Sequence, residues 1–318
     1  MKITKIITIT FTIFVSCNLF FTSCNKPVSE KALRLGYMPN VTHATALVGI
    51  EKNIFQNELG RDILFKPEHF IVGNSVIDAF ITNQIDVAYV GPGPFINALY
   101  RKVPVKLLAN AANGGTVIVG EVPGLRFQDG LRIAVPQYGN TQDLILRKYL
   151  EENNLSGKVT IISIPSQDTA TAFFTMSIDA ACLPEPWGTI WTEKKICKLP
   201  VDEKDILNKG NYPVTLLVVN KNYADEHPEL VDKFLQAHKL ANEFIVKNPN
   251  EAIEVVTNAI AKISKKQIDS KTIAKSINKC SFKNDLDLNI LKEFKTIGIK
   301  SGYYRKEFLI ENNENNPD

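Results

Sequence analysis

The chain has 318 residues, of which 44% are hydrophobic and 22% are charged, and this is the composition of a globular protein. It excludes a disordered, collagen-like or polytopic membrane chain, and the length corresponds to about two domains. The formal net charge is only +3 at pH 7, and no run of Lys or Arg is dense enough to follow a phosphate backbone, so nucleic acid is not predicted as a partner.

The N-terminal residues have the pattern of an export signal. Two lysines precede an apolar, Thr-rich stretch at residues 6–21, and two small residues then lead to Cys24 and a polar segment. A cysteine at this position resembles the acylated residue of a bacterial lipoprotein, although Phe21 stands where such signals usually have Leu. We therefore predict a lipoprotein-type signal peptide at residues 1–24, with Cys24 as the lipidation site and the protein exported and lipid-anchored to the periplasmic or cell-surface side of the cell membrane. Two alternatives are acylation of Cys17, which apolar residues follow, and an uncleaved membrane anchor, for which the stretch is short.

The remaining cysteines, Cys182, Cys197 and Cys280, are widely spaced and odd in number, and the four histidines are scattered. No Cys-x-x-Cys or His ligand spacing is present, so the sequence predicts no metal site, no disulfide framework and no cofactor. The exported chain is therefore expected to fold on its hydrophobic core alone.

Two stretches of the sequence repeat one another at a constant offset. Residues 79–86 (AFITNQID) match residues 172–179 (AFFTMSID), and each copy continues into a short apolar strand and a Pro-containing loop. Upstream of each copy, a strand (residues 33–36 or 131–134) leads through a polar turn to a helix. Short apolar strands that alternate with helices are typical of parallel sheets covered on both faces. We therefore predict an α/β fold with two similar lobes, each a mostly parallel sheet flanked by helices; one continuous doubly wound domain is the alternative.

The C-terminal third completes this architecture. Residues 212–220 (YPVTLLVVN) form an apolar strand that is well placed to cross back from lobe two to lobe one. Helices with apolar faces are predicted at residues 228–247, 251–263, 265–278 and 286–300, packed against lobe one. The predicted domains are accordingly lobe one, residues 31–118 plus 214–318, and lobe two, residues 119–213. The strands that join the lobes are expected to act as a hinge.

Ligand pockets in such sheets form at the carboxyl ends of the strands, where loops lead into helix N-termini. These N-termini present free N–H groups and a partial positive charge, which suit an anionic group. We expect the helix starts at Thr42, Ser75, Asn140 and Thr169 to surround one such group, although each residue is alternatively an ordinary helix cap. The residues at the predicted strand ends are Asn40, Thr42, His43, Asn74, Ser75, Gly91, Gly93, Thr116, Gln137, Asn140, Thr141, Gln142, Ser166, Asp168, Thr169, Glu185 and Trp187.

Motifs of catalysis are missing from the sequence. The run at residues 91–94 (GPGP) lacks the Gly-Lys-Ser/Thr of a phosphate loop, and we predict a loop that lets a ligand approach the backbone. No nucleophile elbow and no acid–base pair stands out, so the protein is not predicted to be an enzyme. His43 either faces the cleft or is a solvated first-turn histidine, and Trp187 either forms an aromatic wall of the cleft or lies in the core.

Four segments carry the more distinctive sequence: GYMPNVTHATALVGIEKNIF (36–55), VGPGPFINAL (90–99), PQYGNTQDLILRKYL (136–150) and IDAACLPEPWGTIW (178–191). They resemble the nitrate/sulfonate/taurine-type family of ABC-transporter substrate-binding proteins, which also includes binders of thiamine-pyrimidine precursors. The resemblance implies a two-lobed periplasmic-binding-protein fold with two crossovers, a monomer that holds a small anionic or zwitterionic nutrient between its lobes, and delivery of that nutrient to a permease and an ATPase. By matching position, it implies that the cleft contacts are Asn40, Thr42, Gly91, Gly93, Gln137, Asn140, Thr141, Glu185 and Trp187. Together with His43, Ser75 and Thr116, these residues form the predicted ligand-binding set.

Other functions on the same fold stay open at this point. One is a binder of a thiamine-type pyrimidine precursor, for which Trp187 would be a stacking platform. Another is an enzyme similar to pyrimidine synthases, although those carry a Cys-rich iron-binding stretch that this sequence lacks. Glu185 and Asp168, near the predicted anion site, hint at a zwitterion such as taurine, and a sulfonate is the expected ligand class.

Overall fold

Eleven strands form two sheets within residues 31–120 and 130–308, the part of the chain that the computed structural model describes. The predicted signal peptide with Cys24 and Cys17, and the Asn- and Glu-rich tail at residues 311–318, lie outside the described residues. The first sheet has the strand order β11-β4-β10-β3-β1-β2 and the second has the order β7-β6-β8-β5-β9. Their bounds are β1 Ala32–Tyr37, β2 Leu64–His69, β3 Val87–Val90, β4 Val105–Gly114, β5 Thr116–Gly120, β6 Leu131–Val135, β7 Val159–Ser163, β8 Ala180–Pro184, β9 Lys198–Val201, β10 Pro213–Asn220 and β11 Cys280–Ser281.

Helices connect the strands and cover the sheets. They are α1 Ala44–Glu51, α2 Ile54–Leu59, α3 Gly73–Ile81, α4 Pro92–Tyr100, α5 Thr141–Glu152, α6 Thr169–Phe174, α7 Trp187–Glu193, α8 Glu203–Ile206, α9 Lys221–Glu226, α10 Pro228–Lys247, α11 Pro249–Ser264, α12 Ser270–Ile277 and α13 Leu288–Lys300. The predicted helix at residues 228–247 is confirmed as α10. The helix predicted at 265–278 is shorter than expected, because Lys265 takes a left-handed conformation (φ 54°) that ends α11 and Asp269 caps α12 by accepting the N–H of Lys271. No helix in the described ranges is both long and apolar enough to cross a membrane.

The pairing of the strands confirms the predicted α/β class. Strand β1 is parallel to β2 and β3, and β6 is parallel to β7 and β8. Antiparallel pairs complete each sheet: β10 pairs with β3 and β4 and β11 pairs with β4 in the first, and β5 pairs with β8 and β9 in the second. The chain passes directly from β4 into β5 and returns through β10, as the predicted crossover at residues 212–220 requires. The predicted boundary after residue 118 falls inside β5, so the first three residues of that strand, which were assigned to lobe one, belong to the second sheet.

The internal repeat of the sequence corresponds to a repeated ion pair. In the first sheet, Asp86 accepts the backbone N–H of Arg34 at 2.8 Å and its Nε at 2.9 Å. In the second sheet, Asp179 accepts the backbone N–H of Arg132 at 2.8 Å and its Nε at 3.1 Å. Asp86 directly precedes β3 and bonds to Arg34 of the neighbouring parallel strand β1, and Asp179 directly precedes β8 and bonds to Arg132 of the neighbouring parallel strand β6. Each carboxylate therefore joins two adjacent parallel strands. We call these two pairs the Arg–Asp braces.

A buried polar network lies under the first sheet, where α1 and α10 cover it. His238 is fully buried, and its Nδ1 accepts the hydroxyl of Tyr89 at 2.9 Å while its Nε2 donates to the backbone oxygen of Asn110 at 3.0 Å. Thr45 donates to Oδ1 of Asn242 at 2.6 Å, so the two helices are also joined by a buried hydrogen bond. Burial lowers the pKa of His238 to about 4, which keeps the imidazole neutral at pH 7.

Candidate functional site

A cavity of about 320 Å³ lies at the strand ends of both sheets. The first sheet contributes residues 38–40 and 42–43 after β1, residues 69–73 at the end of β2 and after it, and Gly91 and Pro94 after β3. The second sheet contributes Pro136 and residues 140–142 after β6, residues 166–167 after β7, and Pro184 and Trp187 at the end of β8. The volume is that of a site for a small organic molecule, and the position is the one that parallel sheets favour.

The structure brings seven of the twelve predicted ligand-binding residues together around this cavity, whereas five lie elsewhere. The seven that line it are Asn40, Thr42, His43, Gly91, Asn140, Thr141 and Trp187. Those outside its lining are Ser75, Gly93, Thr116, Gln137 and Glu185. Trp187 is partly buried, because it also packs against the small apolar cluster of the second sheet.

The expected convergence of four helix starts reduces to two. Thr42 and Asn140 line the cavity, but Ser75 is exposed on the first turn of α3. Thr169 is buried at the start of the six-residue α6, and its hydroxyl donates to the backbone oxygen of Ser166 at 2.7 Å. This hydrogen bond is not an N-cap, because the hydroxyl donates and α6 has no side-chain cap; it ties Thr169 to the turn before the helix.

Glu185 is fully buried, but its carboxylate is occupied away from the cavity. It accepts the backbone N–H and the hydroxyl of Thr189, both at 3.0 Å, and the hydroxyl of Ser276 at 3.1 Å. Lys279 lies 3.1 Å from the same carboxylate. Glu185 therefore joins α7 to α12 and to Lys279, which follows α12. Asp168 is exposed and also lies outside the cavity lining. The suggestion of a zwitterionic ligand from these two acids has no support in their positions.

The run at residues 91–94 is not a loop, because Pro92 begins α4. Proline suits the first turn of a helix, where its missing N–H would have no partner in any case. A Cβ on Gly93 would lie 2.6–2.7 Å from backbone atoms of residues 139–141, and a Cβ on Gly91 would lie 2.2 Å from Oγ1 of Thr141. The two glycines therefore allow the start of α4 to contact the start of α5, and the N–H of Gly93 donates to Oγ1 of Thr141 at 3.3 Å.

Thr116 and Gln137 support the site from outside it. The hydroxyl oxygen of Thr116, which is fully buried, accepts Nε2 of Gln142 at 3.3 Å, and Gln142 lines the cavity. Gln137 is half-buried, and its Oε1 has no hydrogen-bond partner among the described residues. The sequence found these residues because they follow strands, but the strand-end rule does not tell which side chains face the cavity.

His43 is a hydrogen-bond donor at the cavity. Only 1% of the residue is exposed, and its Nδ1 accepts the backbone N–H of Met38 at 3.3 Å. The proton of the neutral ring is therefore on Nε2, which makes this atom the donor of the ring. Burial lowers the pKa of His43 to about 3, so the ring is neutral at pH 7. Of the two interpretations that the sequence left open, the solvated histidine is wrong.

The N-terminus of the twelve-residue helix α5 is held rigidly beside the cavity. Oδ1 of Asn140 accepts the N–H of Asp143 at 2.9 Å, which is an N-cap. The buried carboxylate of Asp143 accepts the N–H of Gly139 at 2.8 Å, the hydroxyl of Tyr303 at 2.6 Å and Nε of Arg147 at 2.9 Å. Because Arg147 balances the charge of Asp143, the helix N-terminus keeps its partial positive character toward the cavity.

Two consecutive tyrosines after α13 hold both helices that meet at the cavity. Tyr303 contacts Asp143 of α5, as described above, and Tyr304 donates to the backbone oxygen of Gly93 in α4 at 3.5 Å. The ring of Tyr304 also packs against that of Tyr100, with 5.1 Å between the centroids. This C-terminal turn therefore links the first sheet's helix to the second sheet's helix.

The charge of the lining is one-sided. Lys266 is its charged residue, and no Asp or Glu of the described residues belongs to it. The rest of the lining combines polar donors and acceptors with an apolar group that the sequence did not single out: Met38, Phe70, Ile71, Val72, Ile260 and Ile263. Ile260 and Ile263 belong to α11, which was predicted only as a packing helix. The spacing of apolar residues in a helix is the same whether that face contacts the core or lines a cavity.

Two known proteins have sequences similar to that of this chain. The taurine-binding periplasmic protein of Escherichia coli (strain K12) is 25% identical over 209 residues, which are 64% of this chain and 64% of the E. coli protein, slightly less than two thirds of its length. The putative aliphatic sulfonates-binding protein of Bacillus subtilis (strain 168) is 25% identical over 249 residues, 76% of this chain and 73% of that protein.

A solved structure gives the fold. The alkanesulfonate-binding protein SsuA from Xanthomonas axonopodis pv. citri, bound to MOPS, superposes with a TM-score of 0.72 at 16% identity and covers 86% of this chain and 94% of its own. The predicted periplasmic-binding-protein fold is thereby confirmed. Residues 26–261 match the sequence model of the NMT1-like family, which is most of the chain, and the protein belongs to that family.

Proposed function

We propose that the protein is the solute-binding component of an ABC importer and that it binds a small organic anion of the sulfonate class in the cavity between its sheets. The observation that carries this proposal is the donor set: the buried, neutral His43, whose proton is on Nε2, and the N-terminus of α5 face a lining to which the described residues contribute no carboxylate. The names of the two curated relatives and of the solved structure point to the same ligand class.

A sulfonate fits these donors better than its competitors do. Its three oxygens are acceptors only, and it stays ionised at any physiological pH, so it needs N–H and O–H donors and no proton. The ammonium of taurine would enter a lining in which the described residues offer neutral acceptors but no Asp or Glu, so its charge would lose hydration without gaining a counter-charge. Nitrate would leave the apolar walls uncovered. An alkanesulfonate without an amine is therefore the ligand that this lining favours.

Export, anchoring and delivery belong to the same proposal. The N-terminal sequence supports secretion and acylation of Cys24, and the E. coli relative is a periplasmic protein by name. A lipid anchor would keep the protein at the membrane, where it would pass its ligand to the permease and ATPase. We further propose that residues 31–118 plus 214–318 and residues 119–213 act as two lobes that close on the ligand, with the turn at Tyr303 and Tyr304 limiting how far they separate. A non-enzymatic role agrees with relatives that are binding proteins.

The experiment is a thermal-shift and calorimetric panel of ethanesulfonate, taurine, nitrate and an aminopyrimidine. A ligand at about 100 times its Kd adds about 2.7 kcal/mol of stability, which corresponds to a rise in Tm of several degrees. We expect ethanesulfonate to raise Tm most. His43→Phe removes the donor and keeps a planar ring, and it should weaken ethanesulfonate binding by about 10- to 100-fold, since a hydrogen bond to a charged group contributes about 1.5–3 kcal/mol.

His227→Phe is the matched control, because His227 lies outside the cavity lining. It should leave Kd unchanged. A larger shift with the aminopyrimidine than with any sulfonate would refute the anion site and would favour stacking on Trp187. Equal binding by the wild type and His43→Phe would remove His43 from the site.

A further inference from the structure

A third element, beside the strand ends of the two sheets, forms part of the cavity wall. Ile260, Ile263 and Ser264 of the last turn of α11 line it, together with Lys266 just beyond the helix. The spacing of three and four residues puts the first three on one face of the helix, so α11 presents its final turn to the cavity. The two isoleucines make this face apolar.

This wall is fixed in place by the rest of α11. Ala252, Val256 and Ala259 are buried in the core, and Lys262 pairs with Glu51 of α1 at 3.2 Å. The helix ends sharply, because Lys265 is left-handed and its successor donates its backbone N–H to Oγ of Ser264 at 3.3 Å. A side chain on this last turn therefore has a defined position relative to the cavity.

The two isoleucines differ in what they can determine. Ile260 is 2% exposed and belongs to the core, whereas Ile263 is only partly buried. Ile71 also lines the cavity and is 67% exposed, which leaves apolar surface that a ligand would cover. A volume of about 320 Å³ equals roughly ten water molecules at ~30 Å³ each, which is more than a one- or two-carbon sulfonate fills.

We infer that Ile263 is a specificity-determining residue that limits the length and bulk of the ligand's hydrocarbon tail. The inference rests on the proposed function, in which the sulfonate group is held by His43 and the start of α5. The tail then contacts apolar walls, and of the two α11 isoleucines Ile263 is the one at the edge of the core, where it is partly buried and packs on the core with one part of its side chain. The ligand class is accordingly an alkanesulfonate of medium chain length.

The test is titration calorimetry with methanesulfonate, butanesulfonate and octanesulfonate. In the wild type, Kd should improve by about four-fold for each methylene that is buried, until the tail reaches the limit of the cavity. Ile263→Trp should weaken butanesulfonate and octanesulfonate at least ten-fold and change methanesulfonate by less than two-fold. Ile263→Ala should shift the best ligand to a longer chain. Ile253→Ala on the same helix, which packs on the core and does not line the cavity, is the control and should preserve the wild-type order.

The outcomes separate the inference from the proposed function. If methanesulfonate binds but Ile263→Trp weakens all three ligands equally, Ile263 acts on the fold or on the head group and the inference is wrong. A wild-type Kd that does not depend on chain length overturns it as well. If no sulfonate binds the wild type, the proposed function fails and the inference fails with it.

Discussion

The two Arg–Asp braces offer an internal comparison between a buried and an exposed copy of one interaction. The pairs share their hydrogen bonds, but the side chain of Asp86 is 2% exposed and that of Asp179 is 33% exposed. The perturbation is Asp86→Ala in one variant and Asp179→Ala in the other. Each change removes the same carboxylate from an equivalent place beside a central strand, so the difference between the two effects reports the burial.

The expected magnitudes follow from that burial. Removing one partner of a buried pair costs about 3–5 kcal/mol, and because Arg34 is 33% exposed we expect Asp86→Ala to cost about 3 kcal/mol. The exposed pair contributes about 0.2–1 kcal/mol, and the backbone hydrogen bond to Asp179 adds about 1 kcal/mol, which gives roughly 1.5 kcal/mol for Asp179→Ala. The hydrogen bond from Arg132 holds the pKa of Asp179 below its usual range, so this second contribution is present at neutral pH and is lost at strongly acidic pH.

Urea denaturation at pH 7, followed by far-UV circular dichroism, measures both costs. A thermal melt of the same variants gives a second measurement: at about 2–4 °C per kcal/mol, Asp86→Ala should lower Tm by roughly twice as much as Asp179→Ala. The double variants with Arg34→Ala and Arg132→Ala separate the pair from the backbone hydrogen bond. Equal losses from the two aspartates, or a larger loss from Asp179, would show that burial does not decide the contribution of the brace.

Two further predictions concern acid stability and the lipid anchor. Burial holds the pKa values of His43 and His238 at about 3 and about 4. The unfolded chain therefore binds about one more proton than the folded chain at pH 6.5 and nearly two more at pH 5, and the free energy of unfolding should fall by about 3 kcal/mol over this range. His238→Gln should halve this fall, and a flat profile contradicts the burial of both rings. Labelling of cells with radioactive palmitate should mark the protein, Cys24→Ala should remove the label and Cys17→Ala should keep it, whereas full-length unlabelled protein in the cytosol would refute export and anchoring.

The sequence predicted the two-lobed architecture because each sheet uses the same ion pair between two parallel strands, and its residues therefore repeat in the sequence. The matching residues of the repeat, Asp86 and Asp179, are the carboxylates of the braces, and the arginines that they hold lie at matching positions of the upstream strands. Alternation of short apolar strands with helices then left few possible arrangements. Boundaries failed where a single residue decides them, as at Lys265, whose left-handed backbone is not visible in its side-chain type.

The site was predicted only in part, since its contacts join residues far apart in the chain. The strand-end rule identified Asn40, His43 and Asn140, which line the cavity. It also selected Glu185, whose partner Ser276 lies 91 residues further along the chain. The sequence around Glu185 does not predict this hydrogen bond. The contribution of α11 to the cavity wall was not predicted either, because a periodic apolar helix face does not indicate what that face contacts.

In the proposed function, a neutral donor at His43 suits a protein that binds and then releases an anion. A buried lysine in the place of His43 would lose its hydration in the empty cavity, whereas a neutral imidazole there loses little. The burial that lowers the pKa of His43 to about 3 also places its Nε2–H in surroundings of low dielectric, where a hydrogen bond to an anionic oxygen is strengthened. An incoming sulfonate would favour the imidazolium and move the pKa of His43 upward, but from so low a value the ring remains neutral unless the shift is several units. In the proposed function, the ligand would be held by these oriented dipoles together with Lys266, the charged residue of the lining, and when the lobes open, water would take the place of the ligand at the neutral donors.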